Sequence, residues 1–454
     1  MSKHNLKPLI LIILVIFICA CQGSDTPESI PPTGTSASPI ESAVPPTEES
    51  LPTATLLPPT AQPSQESVPT ADSWLKTYGG SYDDTVDAIL PAEQDGFYLA
   101  GSTNGRFDIG RSGEAYLLRV DSNGEMLWER TYSNYGSAQA IHPTGDGGLL
   151  LSGVISSTAG DSDIFLLQLD EDGNELWSKT FGGPLDEYGM AWPMHDGGYI
   201  LGGIVVDPSD IVVDDPGVAG YGGLSGRSNI YLARMDAEGN ELWSRTIGED
   251  KNVLTSGGLM TADGGFLILG NILNYPQYDD DLILLKIDQS GNEVWSHTWE
   301  EGNLDGNALI LTSDGNILIA GGYATAQETD MAQKDFLLIK VDPEGNELWQ
   351  NVFGDPEVYD WAYSIVENSD GSFTVLGDFT RDMFTWDADI VLVKIDQQGQ
   401  PVWQQTIDTN THTMLRGVLE HPQGGYVIAG SSYRGSDFDI LLIRTDAEGM
   451  LENE

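Results

Sequence analysis

From residue 73 onward, hydrophobic and polar positions repeat in three short patterns. The first is apolar almost without a break: DIFLLQLD (163–170), DLILLKID (281–288), DFLLIKVD (335–342) and DIVLVKID (389–396). Runs of this length suit a strand covered on both faces. The second follows an Asp-Gly pair, as in DGGLLLSG (146–153), DGGYILGG (196–203) and DGSFTVLG (370–377). The third opens with Asp and Gly three apart and ends in Trp: DEDGNELW (170–177), DAEGNELW (236–243), DPEGNELW (342–349). Asp-Gly and Asp-x-x-Gly are tight-turn chemistry, because Gly accepts the positive φ such turns need. Four strands per unit are therefore predicted. An innermost strand A precedes the Asp-Gly turn and strand B follows it. Strand C is the apolar run, and strand D begins at the Trp element.

The Asp that opens each Trp element falls at 121, 170, 236, 288, 342, 396 and 446. Intervals near 50 residues with four short strands each predict a β-propeller. The seventh copy stops before any Trp. At the other end, WLKTYGG (74–80) aligns with WSKTFGG (177–183). The expectation is an all-β, seven-bladed propeller over residues 73–454, in which the first strand supplies strand D of the last blade and leaves no open edge. A–B and C–D turns then share one nearly constant face. D–A and B–C loops share the other, variable face.

The first 72 residues differ in kind. Residues 1–20 carry Lys3 and Lys7 before an apolar run from Leu9 to Ile18. That run is too short for a stable span and reads as a secretory signal. Residues 22–72 hold 11 of the chain's 23 prolines, with no Lys, Arg or aromatic residue. Such a segment buries too little apolar surface to fold and is expected to act as a tether. Its reach is about 40 Å as a coil and about 150 Å as polyproline II.

Charge narrows the partners. Formal net charge is −50, from 70 Asp+Glu against 20 Lys+Arg. Phosphate backbones repel such a chain, so nucleic acid is excluded as a partner. Both cysteines, Cys19 and Cys21, precede the tether. The folded part therefore has no disulfide, thiol nucleophile or Cys-ligated zinc. No HExxH, GxSxG or P-loop pattern occurs.

Two resemblances follow. Ile18-Cys19-Ala20-Cys21 resembles a bacterial lipobox. It implies cleavage before Cys21, acylation of its thiol, and export with the propeller facing the extracellular side of the membrane. Two or three acyl chains anchor stably. The Trp element resembles the tryptophan-docking repeat of quinoprotein-type propellers, with one residue fewer between Asp and Gly. The DGGY element is similar to short propeller repeats of bacterial surface lipoproteins. The quinoprotein enzymes also need adjacent cysteines under pyrroloquinoline quinone, which this domain lacks, so no such cofactor is expected. An outer-membrane assembly scaffold of that superfamily implies that such a propeller works as a lipid-anchored platform without catalysis.

Candidate chemistry lies where blades differ. DEDGNE (170–175) starts like an EF-hand loop, but position 181 is Phe where a closing Glu belongs, so a turn is expected. Glu114, Asp163, Asp281, Asp335, Asp389 and Asp439, with Asn229, begin strand C. A carboxylate ring there would suit Ca²⁺, while a repeated side-chain-to-backbone bond is the structural expectation. The third blade carries a long insertion (207–229) with one aromatic, Tyr221. Aromatics sit beside acids in the variable loops: Tyr82, Tyr188, Tyr278, Tyr359, Trp361 and Trp386. Arg381, Arg416 and Arg434 fall in the last two blades, Arg416 at the start of strand A. Tyr188, Tyr221, Trp361, Tyr363, Trp386, Arg416 and Arg434 are the candidate ligand-binding residues, and no catalytic residue is singled out. The expected function is a monomeric, non-catalytic surface module for protein or glycan ligands. The alternative is a glycan-active enzyme with carboxylates at the channel mouth.

Overall fold

A computed structural model describes residues 73–451 except 93–94, 106–112, 157–161, 184, 207–227, 249–251, 275–279, 325–333, 355–357, 381–387 and 410, together with the backbone of 53–55. Among these residues there are strands and turns and no helix. Six sheets are built from consecutive strands, as in Asp83–Pro91, Phe97–Gly105, Glu114–Val120 and Met126–Tyr132, paired antiparallel in that order. The seventh combines Thr413–Glu420, Tyr426–Tyr433 and Phe438–Arg444 with Trp74–Tyr78 from the other end of the chain. The register runs from Trp74 opposite Arg444 to Tyr78 opposite Ile440. The ring is thus closed as the repeats predict.

Innermost strands touch their neighbours around the whole ring, including the last against the first. The core is not one cluster but a series of wedges between blades. Between the fifth and sixth, Phe336, Leu338 and Phe353 meet Ile365, Val375 and Val391. Between the seventh and first, Val427 and Leu442 meet Leu99 and Leu118, with Trp74 and Tyr78 packed against them. Strand C is buried on both faces because each blade is sandwiched by two others, which explains its unbroken apolar run.

The Trp element locks neighbouring blades. A Cβ on Gly124 would fall 2.6 Å from the Trp74 indole, and one on Gly399 2.6 Å from that of Trp349. Trp128, Trp243, Trp295 and Trp403 face Gly173, Gly291, Gly345 and Gly449 in the same way. Each of these glycines has φ between +73° and +86°. Only a residue without a Cβ serves both the turn and the indole. The second blade departs from the rule: Gly239 faces Lys179, while Trp177 stacks edge-on against Tyr199, 5.8 Å between centroids.

The constant face also holds a set of pairings. The polar residue two before each turn Asp reaches back to the Asp-Gly turn of its own blade. Lys286 meets Asp263 at 2.7 Å, Lys340 meets Asp314 and Lys394 meets Asp370 at 2.8 Å, and Arg234 holds Asp196 at 2.5 Å. Where strand C has Gln168, its amide reaches Asp146 at 3.4 Å; where the turn has Gln423, Arg444 reaches it at 3.5 Å. Hydrogen bonds from Lys286 and Lys394 help hold Asp263 and Asp370 down to about 2. This accounts for several of the few cations in an acidic chain.

One element departs from expectation. Thr53–Thr55, inside the segment read as an unfolded tether, pairs parallel with Val352–Gly354 at the outer edge of the fifth blade. An outer strand offers open N–H and C=O groups to any extended backbone, and threonine favours strands.

Candidate functional site

The site follows from a defect repeated in the innermost strands. In six blades that strand bulges by one residue at one level. The extra residues are Asp87, Gln139, Ser256, Asn307, Tyr363 and Arg416. A bulge bends its strand and re-aims a side chain. The third blade pairs without a bulge and has Gly189 and Met190 there. Asp87 lies four residues into its strand, about 13 Å below the variable-face end at the usual rise of a strand. The bulge belongs to the repeat, but the residue placed on it differs in every blade.

These side chains are half-buried and several are tied across blades. The Arg416 Nε donates to Asp87 Oδ1 at 3.3 Å, and Ser137 Oγ donates to Asp87 Oδ2 at 2.5 Å. Asn307 Nδ2 donates to the Ala362 carbonyl at 2.9 Å. Asn271 Nδ2 donates to Ser256 Oγ at 3.0 Å. Tyr363 donates its hydroxyl proton to Asp378 Oδ2 at 3.1 Å. Asp378 sits on the second strand of the sixth blade, opposite Trp361. Burial pushes its carboxyl up to about 7, against the pull of the Tyr363 bond. Burial and the Asp378 charge also push the Tyr363 hydroxyl well above its ordinary value, with Arg416 opposing. Tyr363–Asp378 in blade six and Arg416–Asp87 across blades seven and one are thus two bonded pairs, and the Arg416 charge acts on the Tyr363 hydroxyl.

The other sequence candidates fall elsewhere. Tyr188 is buried against Ile204 and Val206, and its hydroxyl accepts from Ser162 at 3.3 Å. Trp361 is half-buried, with Lys334 Nζ 5.5 Å from its ring. Arg434, which the sequence groups with Arg416, is at the periphery. It donates to Thr77 of the outer strand at 2.9 Å and lies 3.8 Å from Asp439. Tyr221, Tyr278, Arg381, Trp386 and Cys21 lie outside the described residues.

Two acidic features take structural roles. Asp170 accepts from the backbone N–H of Asp172 at 3.0 Å and of Asn174 at 2.8 Å, which is turn chemistry. Glu114 and Asp281 accept from Asn104 and Asn274 of their own blades at 3.0 and 2.9 Å. Asp439 is pushed up by burial, with Asp437 and Asp84 adding to the rise and Arg434 opposing it. Among the described residues, no three His, Asp or Glu side chains converge as metal ligands.

The sequence reading reached Tyr363 and Arg416 but missed Asp87, Gln139, Ser256, Asn307 and Asp378. The signal was present. In five blades the bulge residue lies seven positions before the first residue of the B-strand turn element, and in the first blade eight.

Asp378 also gives a pH-dependent stability. Its folded value lies above the ordinary 3.8, so the native state holds a proton that the unfolded chain releases. Stability therefore falls as pH rises from about 4 to about 7. The full shift corresponds to about 4 kcal/mol. Water at a half-buried carboxyl screens much of it, leaving about 1–2 kcal/mol. Asp378→Asn is expected to unfold at higher denaturant at pH 8 than the parent and at the same denaturant at pH 4. Equal midpoints at pH 8 would place Asp378 in water.

No family model matches the chain, and no curated protein matches it. Solved structures resemble it in outline. The polysaccharide lyase Uly1 is 12% identical, with TM-score 0.48, over 82% of this chain and 91% of the other. A protein of unknown function from Bacteroides caccae is 14% identical, with TM-score 0.41, over 69% and 94%. A subtype N10 neuraminidase-like protein of A/little yellow-shouldered bat/Guatemala/060/2010 is 10% identical, with TM-score 0.40, over 83% and 98%. At these values the likeness says nothing about activity.

Proposed function

We propose that this chain is an exported lipoprotein, acylated at Cys21, whose propeller binds a protein or glycan at the variable face and channel without turning it over. One observation carries the reading. On the constant face the polar side chains repeat from blade to blade and serve turns and pairings, as in Lys286–Asp263 and Lys340–Asp314. At the channel bulge the residue type changes in every blade, as Arg416 and Tyr363 show. Repeated groups serve the repeat, and groups that break it are free to serve a ligand. Immobilised propeller should retain a ligand from a panel of glycans and cell-surface proteins, with retention reduced by Arg416→Ala. Retention by no member of the panel would count against the reading.

The anchor has its own test. Cys21→Ser should move the protein from the membrane fraction to the medium, since everything after the lipobox is polar or folded. A variant that stays in the membrane pellet after a high-salt wash would refute acylation at Cys21.

Asp378 favours a second reading, a glycan-active enzyme, because a carboxyl near 7 suits a general acid. Release of reducing ends that disappears in Asp378→Asn would establish it.

A further inference from the structure

We infer that the channel group around Tyr363, Asp378, Asn307 and Arg416 seats the uncharged, hydroxyl-rich end of a glycan chain. This rests on the binding reading above and selects its ligand class. Three features point the same way. The first is the donor set. Gln139, Ser256, Asn307 and Tyr363 place neutral hydroxyls and amides at one level, each in a different blade. The last three are each bonded once, to Asn271, the Ala362 carbonyl and Asp378, and each keeps a further donor or acceptor. Sugar hydroxyls donate and accept, so they match groups that do both.

The second is charge. The cation at this level, Arg416, is held by Asp87, and Asp87 is held again by Ser137. An anionic ligand meets no uncommitted positive charge in this group and must approach a chain of net charge −50. A protonated amine meets no uncommitted carboxylate there, since Asp87 is held by Arg416 and Ser137, and Asp378 is bonded to Tyr363 and buried, which favours its protonated form. A neutral polyol is repelled by neither.

The third is shape. The group lies about four strand residues inside the ring of innermost strands, roughly 13 Å deep. A folded protein surface does not reach that depth, whereas one or two sugar units do.

The test is calorimetry on the whole mature protein. The probes are maltose, cellobiose, lactose, mannobiose and diacetylchitobiose, with digalacturonate as the charged control. At least one neutral disaccharide should bind and digalacturonate should not. Tyr363→Phe and Gln139→Ala should each weaken binding by about tenfold, the loss of one ligand hydrogen bond. Arg245→Ala, near Trp243 of an outer strand, should leave it unchanged. Gln139→Ala guards against misfolding, because Gln139 is half-buried and has no hydrogen-bond partner among the described residues. Three results overturn the inference: tighter binding of digalacturonate, no binding of any neutral probe, or neutral binding indifferent to both channel variants. In the last case a glycan still binds, so the binding reading survives while the channel seat falls.

Discussion

A chain lacking residues 73–80 is expected to unfold or aggregate, whereas one lacking 25–68 should melt within a few degrees of the parent. The first deletion removes the outer strand of the last blade and exposes Phe438–Arg444 as an open edge. It also removes the Trp74 indole from Gly124, the 2.5 Å bond from the Tyr78 hydroxyl to the Gly124 carbonyl, and part of the wedge between blades seven and one. Truncating a buried Trp alone costs about 3–5 kcal/mol. Ladder hydrogen bonds and Tyr78 add to this, against a typical total stability of about 5–15 kcal/mol. The second deletion removes, of the described structure, only the three-residue pairing of Thr53–Thr55. Circular dichroism melts and size-exclusion chromatography separate the outcomes. A folded, monomeric 81–454 chain with the parent's melting temperature would show that the ring does not need its closing strand.

Trp349→Ala and Trp74→Ala should each destabilise by about 3 kcal/mol, the low end for a large aromatic because both indoles keep one edge in water. Trp177→Ala should cost about half as much. The aligned repeats suggest that all three are equivalent, but the structure seats Trp349 on Gly399 and Trp74 on Gly124 while leaving Gly239 to Lys179. A complementary variant removes the seat instead of the indole. Gly399→Ala puts a Cβ 2.6 Å from Trp349 at φ +74°, so it combines overlap with backbone strain. It should cost about 2 kcal/mol. Urea midpoints at constant m-value measure all four. If Trp177→Ala proves as costly as Trp349→Ala, docking on the turn glycine is not what the indole contributes.

The two effects differ in how much of their origin the chain displays. Seven blades, their four-strand order and the closing strand at Trp74 were legible, because blade sheets are local. Each turn Asp, docking Gly and Trp recurs at nearly fixed spacing, and hydrophobic period alone separates strand C from strand D. The same repetition misled at Trp177, since equal spacing says nothing about which side chain fills the space over Gly239. The cations were half legible. Arg234, Lys286, Lys340 and Lys394 sit at one repeat position, yet their partners, Asp196, Asp263, Asp314 and Asp370, belong to the turn on the far side of strand B.

The channel group lay beyond the sequence for a physical reason. Arg416 and Asp87 are 329 residues apart and meet only when the ring closes. Asp378 looks like any polar residue on an otherwise apolar strand until the bulge at Tyr363 sets that hydroxyl against it. Arg434 shows the converse: near Arg416 in the chain, it lies at the outer strand beside Thr77 because the two face opposite ends of one sheet. Local period and turn chemistry thus determined the blades, their number and the constant face. Which polar side chains meet in the channel, and how burial shifts their protons, was decided by closure of the ring, which brings unrelated repeats to one level around a common axis.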